Sequence, residues 1–183
     1  MSTLPDELFS IVERLILAAR EAAETAAEAA INNLAVNRPE PYSSMDEPAR
    51  KMRRTLRAKA RQLGGGSQTE GLQPLIEEMA YQQWHRMLFA RFLAENDLLM
   101  HPSGVAVSLE DCAELATEEN EADAWAVAAK YASNMLPGIF RLDDPVVSVR
   151  FAPEGQLLLE RILDELPQIA FTTDDSLGWM YQF

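Results

Sequence analysis

The chain has 183 residues, a formal net charge of −13 and 48% hydrophobic residues, enough for one domain with a real core. No apolar run approaches the ~20 residues of a membrane span, the first residues lack the basic-then-apolar layout of a signal peptide, and the lone Cys112 excludes an internal disulfide or a cysteine-rich zinc site. The expectation is a soluble, cytoplasmic protein with no membrane partner. The charge is uneven: residues 1–96 hold 12 basic and 13 acidic side chains, residues 97–183 hold 4 and 16, and seven of the 16 basic residues fall between Arg50 and Arg61. Such acidity argues against coating nucleic acid with the whole surface.

Pro5 suits a first helical position, with Asp6 and Glu7 favourable in the first turn. Apolar residues at Leu8, Ile11, Val12, Leu15, Ile16, Ala19, Ala22, Ala26 and Ala30 recur at helical spacing. They predict a helix that fades near Val36, before Pro39 and Pro41, and whose alanine-rich later turns admit a close neighbour. Ser44 to Glu47 has capping-box spacing and opens a helix to about Leu63, with a thin apolar stripe at Ala49, Met52, Leu56, Ala60 and Leu63. Gly64-Gly65-Gly66-Ser67 ends it and starts a flexible connection, placed at 64–73. Pro74 then begins the longest apolar helix, where Leu75, Met79, Trp84, Met87, Leu88, Phe89 and Phe92 cover enough of the circumference to make it central to the core.

Ser108 to Asp111 is another capping box, opening a helix to about Glu118, and a further helix runs from Glu121 to about Met135. Val146, Val147 and Val149 make one short extended segment. Pro153 and Glu154 start a helix carrying Leu157 to Leu166, and Thr173-Asp174-Asp175 caps a terminal helix. The whole is expected to be all-α, about seven helices in one domain: an N-terminal pair over 1–63, the linker at 64–73 and a helical core over 74–183. The ending Leu177-Gly178-Trp179-Met180-Tyr181-Gln182-Phe183 is apolar where termini are usually polar. It reads as the front piece of a larger protein, cut within a helix.

Catalytic motifs are missing. There is no G-x-x-x-x-G-K-[ST] loop, and Gly64 to Gly66 follow a basic helix rather than a strand, against a dinucleotide loop. His85 and His101 lie 16 apart with no carboxylates at metal-ligand spacing. A nuclease Glu-x-Lys is excluded because Ala49, Arg57 and Ala128 precede Lys51, Lys59 and Lys130 at that spacing. Asn37 to Tyr42 is two residues too long for an Asn-Pro-Pro-Tyr loop. No catalytic, cofactor-binding or metal residue is assigned. The cations Arg50, Lys51, Arg53, Arg54, Arg57, Lys59 and Arg61 are candidates for salt-dependent phosphate contact; the alternative is a solvated helix paired with acidic groups of the same chain. The seven carboxylates from Glu110 to Asp123 form a solvated surface or a docking site for a basic partner. Trp84, Phe89 and Phe92 belong to the core, His85 and Arg86 to its edge as a partly buried pair, and Cys112 to a small core position.

The segment Ala80 to Asn96 resembles the helix before the catalytic domain in large bacterial adenine-specific DNA methyltransferases, of the BREX and DISARM phage-defence and fused Type II restriction-modification kind. Ala80, Tyr81, Arg86, Arg91, Phe92, Glu95 and Asn96 match the family's form, and His85 takes an Asn or His place. Leu136 to Phe140, Asp143-Asp144-Pro145 and Ser176 to Phe183, with Trp179 and Tyr181, resemble later elements in the same order. The resemblance implies a non-catalytic N-terminal helical domain. The parent's reaction would be methyl transfer from S-adenosylmethionine to adenine N6 after base flipping, with DNA and other defence-system subunits as partners. No catalytic or cofactor residue carries over: the glycine loop and Asn-Pro-Pro-Tyr loop would follow Phe183. A standalone acidic helical adaptor or DNA-mimicking inhibitor is the competing expectation.

Overall fold

The helical apolar period resolves into eight helices in the computed structural model, which describes residues 6–139, 141, 143–173 and 178. They are α1 (Asp6–Asn33), α2 (Glu47–Leu63), α3 (Gln68–Glu95), α4 (Leu109–Glu118), α5 (Ala124–Met135), α6 (Pro145–Ser148), α7 (Pro153–Asp164) and α8 (Ile169–Thr172). The protein is all-α; among the described residues the extended structure is one antiparallel bridge, Met100 with Ala106. The expected terminal helix, with Trp179 and Tyr181, lies outside the described residues.

Short polar residues start the helices by accepting from their first free N–H groups. Asp46, not Ser44, caps α2 by accepting from Ala49 N at 2.9 Å. Ser108 and Asp111 form the expected reciprocal box on α4, and Asp123 caps α5 through Ala126 N at 2.8 Å. Asp144 caps α6 through Val146 N at 3.1 Å, with Pro145 as its first residue. Val146 and Val147, expected to be extended, therefore sit in a helical turn, because the Asp-Pro start outweighs their β-branched preference; Val149, just past it, is extended.

The second departure is at 64–73. Helix α3 begins at Gln68, six residues before Pro74, and Ser67 Oγ accepts the Glu70 N–H at 3.3 Å. Gly65 and Gly66, at φ of 60° and 107°, form an open turn, while Gly64 and Gly71 are packing residues. A Cβ on Gly71 would lie 1.7 Å from the carbonyl oxygen of Ala60, and one on Gly64 would lie 2.0 Å from that of Ser67. Backbones in such close approach carry the helix past Pro74, whose ring would otherwise mark its start.

The chain divides into two compact units. One holds Arg20–Trp84 and Asp143–Glu160. Its core joins Ala23, Ala27, Ile31, Leu56, Ala60, Leu75, Met79, Trp84, Val146 and Leu159. Here the alanine-rich turns of α1 admit the backbone of α7: a Cβ on Gly155 would lie 2.8 Å from that of Ala26. The other unit holds residues up to Ala19, His85–Leu142 and those from Arg161 on. In it α4 packs on α5, and Cys112 is buried among Leu93, Leu99, Val127, Ala128 and Tyr131. Each fully buried Leu or Val contributes about 1.5–3 kcal/mol.

Gly71→Ala is expected to lower the unfolding free energy by about 1–3 kcal/mol, since the added methyl has no space to enter. A thermal melt followed by circular dichroism measures it; an unchanged midpoint refutes the close crossing.

Candidate functional site

Helix α2 carries the densest charge of the chain, and its cations have different fates. After α1 the chain turns through Ala35, whose φ of 50° is uncommon for a residue with a Cβ. Carbonyls leaving a helix C-terminus need donors. Arg53, only 7% exposed, supplies them: Nε donates to Ala35 O at 2.9 Å, and Nη2 to Arg38 O at 2.7 Å and Pro39 O at 2.9 Å. Arg57 Nη1 donates to Val36 O at 2.8 Å and also to Arg38 O, while Gln68 Nε2 reaches Val36 O at 2.6 Å. Lys59 is clasped by Glu78 at 2.6 Å and Asp144 at 2.9 Å. Burial works against the Lys59 charge, but the two carboxylate hydrogen bonds outweigh it and hold its pKa above the ordinary lysine value.

Of the remaining cations Lys51, Arg54 and Arg61 are exposed and Arg50 is half-buried. Arg50 uses Nε on Met45 O at 2.8 Å. Arg54 pairs with Glu47 at 2.8 Å, both side chains well exposed. Burial first, then the charges of Arg53 and Arg61, depress the Arg57 pKa, with Glu40 opposing.

The signature segment lies on α3. Tyr81 is 45% exposed and meets Trp84 edge-on, ring centroids 5.6 Å apart. His85 stacks on Phe89 at 6.2 Å. Burial lowers the pKa of His85 and, against the opposing charge of Asp123, that of Arg86. Arg91 is 8% exposed; it donates to the carbonyls of Leu163 and Leu166, the latter at 2.9 Å, and lies 4.7 Å from the centre of the Phe171 ring. Asn96 Nδ2 donates to Phe92 O at 2.8 Å and Phe171 O at 2.9 Å. The matched residues Arg91 and Asn96 thus clamp the ends of α7 and α8.

Two groups went unforeseen. Gln83, 4% exposed, shares its Nε2 hydrogens among the carbonyls of Val146, Val147 and Val149 at 3.2, 3.2 and 3.0 Å. Its sequence signal is an amide inside an apolar helical stripe. Glu119 gathers Lys130 at 2.8 Å and the Tyr131 hydroxyl, with His101 Nε2 3.8 Å away. Lys130 also bonds Glu121 at 3.0 Å. His101 Nδ1 lies 3.1 Å from Ser103 N and 2.7 Å from Ser103 Oγ, while Nε2 faces Glu119. Lys130 and then Tyr131 hold the Glu119 carboxyl below its ordinary value. Burial and then Glu119 push the Tyr131 hydroxyl far above its own, and burial pushes the Cys112 thiol up to about 11, leaving it a neutral core residue.

The triglycine turn joins two helices, and Gly64 is closed off by Ser67 and Gly71. An open hollow of about 270 Å³ lined by Met52, Val149, Arg150 and Phe151 among others brings no convergent titratable groups. No three His, Cys, Asp or Glu side chains converge as metal ligands, and no helix is long and apolar enough to cross a membrane, among the described residues. No family model, curated protein or solved structure matches the chain.

Arg53→Met is expected to cost about 2–3 kcal/mol, because the carbonyls of Ala35 and Pro39 lose their donor and that of Arg38 keeps only Arg57, whereas Lys51→Met stays within about 0.5 kcal/mol. Urea titration of both variants compares them, and equal losses refute the anchoring role. For Glu119, a carboxyl depressed in the fold stabilises above its unfolded value of 4.5, and that contribution disappears as pH falls through the folded value. Melting midpoints taken from about pH 5 down to 3 should therefore fall less steeply in Glu119→Gln than in the parent.

Proposed function

We propose that this chain is the non-catalytic N-terminal helical domain of an adenine-specific, S-adenosylmethionine-dependent DNA methyltransferase of a bacterial phage-defence or restriction-modification system. The observation that carries the proposal is the use made of the signature helix. Arg91 and Asn96, two residues of the Ala80–Asn96 resemblance, hold the carbonyls of Leu163, Leu166 and Phe171. These lie just before the Leu177-Gly178-Trp179 stretch, which resembles the family's lead into the methyltransferase fold. The domain then acts as a strut. It fixes the direction in which the chain approaches the catalytic part, and leaves cofactor binding, base flipping and methyl transfer to that part. DNA and other defence subunits are its partners in the cytoplasm.

A second reading draws on charge: the unit containing α4 and α5 has six basic and sixteen acidic residues. An acidic adaptor or DNA-mimicking inhibitor would offer such a surface to a basic groove.

The reading frame in the source genome distinguishes the two. Continuation beyond Phe183 into a glycine-rich loop and an Asn-Pro-Pro-[Tyr/Phe] motif is expected, and in that longer protein Arg91→Met should reduce N6-methyladenine formation at least about tenfold by misplacing the catalytic part. A stop codon after Phe183 with no neighbouring methyltransferase gene overturns the proposal in favour of the adaptor.

A further inference from the structure

The fold sorts the α2 cations by face. Arg53 points into the protein and Lys59 is held by two carboxylates. Arg50, Arg54, Arg57 and Arg61 are spaced four, three and four residues apart, which aligns them along one side of a helix. Glu47 is the one carboxylate within α2. Its bond to Arg54 joins two exposed side chains, the kind of pair worth little in water and readily exchanged. Arg57 is already fixed by the carbonyls of Val36 and Arg38, so part of the ordering cost of binding is met before any ligand arrives. Arg61, the last of the row, is exposed at the C-terminal turn of α2.

The dimensions select the ligand. From Arg50 to Arg61 the row is about 16 Å long at 1.5 Å per residue. One strand of duplex DNA carries a phosphate for about every 3.4 Å of axis, so the row runs beside about five phosphates. Guanidinium groups are forks suited to phosphate oxygens. We propose that Arg50, Arg54, Arg57 and Arg61 form a ladder that grips the sugar-phosphate backbone of duplex DNA without regard to base sequence. The ladder deepens the DNA contact in the proposed function, yet it needs no catalytic domain, so the two fail separately.

Fluorescence anisotropy of a labelled duplex of about two turns tests it on the whole chain over about 20–150 mM salt. Four phosphate contacts predict a slope of log affinity against log salt near −3.6. The triple variant Arg50→Gln, Arg54→Gln, Arg61→Gln spares the anchored Arg57; its slope should fall to about −0.9 and its binding at the lowest salt should weaken at least about tenfold. A charge-matched control, Arg14→Gln, Arg141→Gln, Arg161→Gln, should retain the parent slope. Absence of binding at the lowest salt overturns the ladder, and so does an equal loss in the control. Competition by polyglutamate as effective as by unlabelled duplex assigns the row to an acidic protein instead and also overturns it. Should the ladder variant melt differently from the parent, the parent's own slope decides, and a value shallower than about −2 refutes four contacts.

Discussion

A chain built from helices must find donors for the carbonyls where helices end and turns begin, and at four such places here planar side chains supply them. Arg53 serves the turn after α1, Gln83 the end of α6, Arg91 the end of α7 and Asn96 the end of α8. All four side chains carry two or more N–H groups on a rigid plane, so one residue can bond carbonyls that diverge from a single turn. Burying a guanidinium costs several kcal/mol unless its hydrogens are used. Arg53 and Arg91 meet that condition with charge-assisted bonds, stronger than neutral ones. The four positions hold the backbone where it leaves α1, α6, α7 and α8.

This constraint decides how the positive charge of α2 is spent. Arg53 and Arg54 are neighbours with the same side chain. One lies almost fully buried on the carbonyls of Ala35, Arg38 and Pro39, and the other reaches an exposed Glu47. Lys59 ties α2 to the cap of α6 through Asp144, which accepts from Lys59 and from Val146 N together. A composition count treats seven cations alike. The fold makes some of them part of the architecture and leaves a row on the outside.

The helical period and the N-caps were legible because both are local. Ser108 with Asp111, and the alanine run of α1 that meets Gly155, depend on neighbours in sequence or on residue size alone. What escaped were features whose partners lie far along the chain or whose signal has two meanings. Gln83 bonds carbonyls 63 to 66 residues away and Arg91 bonds carbonyls 72 and 75 away, separations at which no pattern of residue types signals contact. Triglycine reads as the start of a flexible linker, and only the close approach of Gly71 to Ala60, a few residues on, shows that the connection is a short turn into a tight crossing. The valines after Pro145 read as extended because β-branched residues favour strands, although Asp144 and Pro145 are a helix start.

The same distinction sharpens what a likeness in the α3 segment means. Arg91 and Asn96 are occupied with carbonyls of the same chain, and His85 and Arg86 are half-buried with their charged forms disfavoured by desolvation. Side chains in these roles are selected by the architecture, so their identity reports how the backbone at Leu166 and Phe171 is held, and no chemistry of their own. A partner must be met by groups that the architecture leaves outside. Tyr81, nearly half exposed at the start of the signature, and the outer arginines of α2 are such groups. A residue change that alters binding while sparing the melting temperature should therefore be sought among the exposed side chains, Arg54 and Arg61 first.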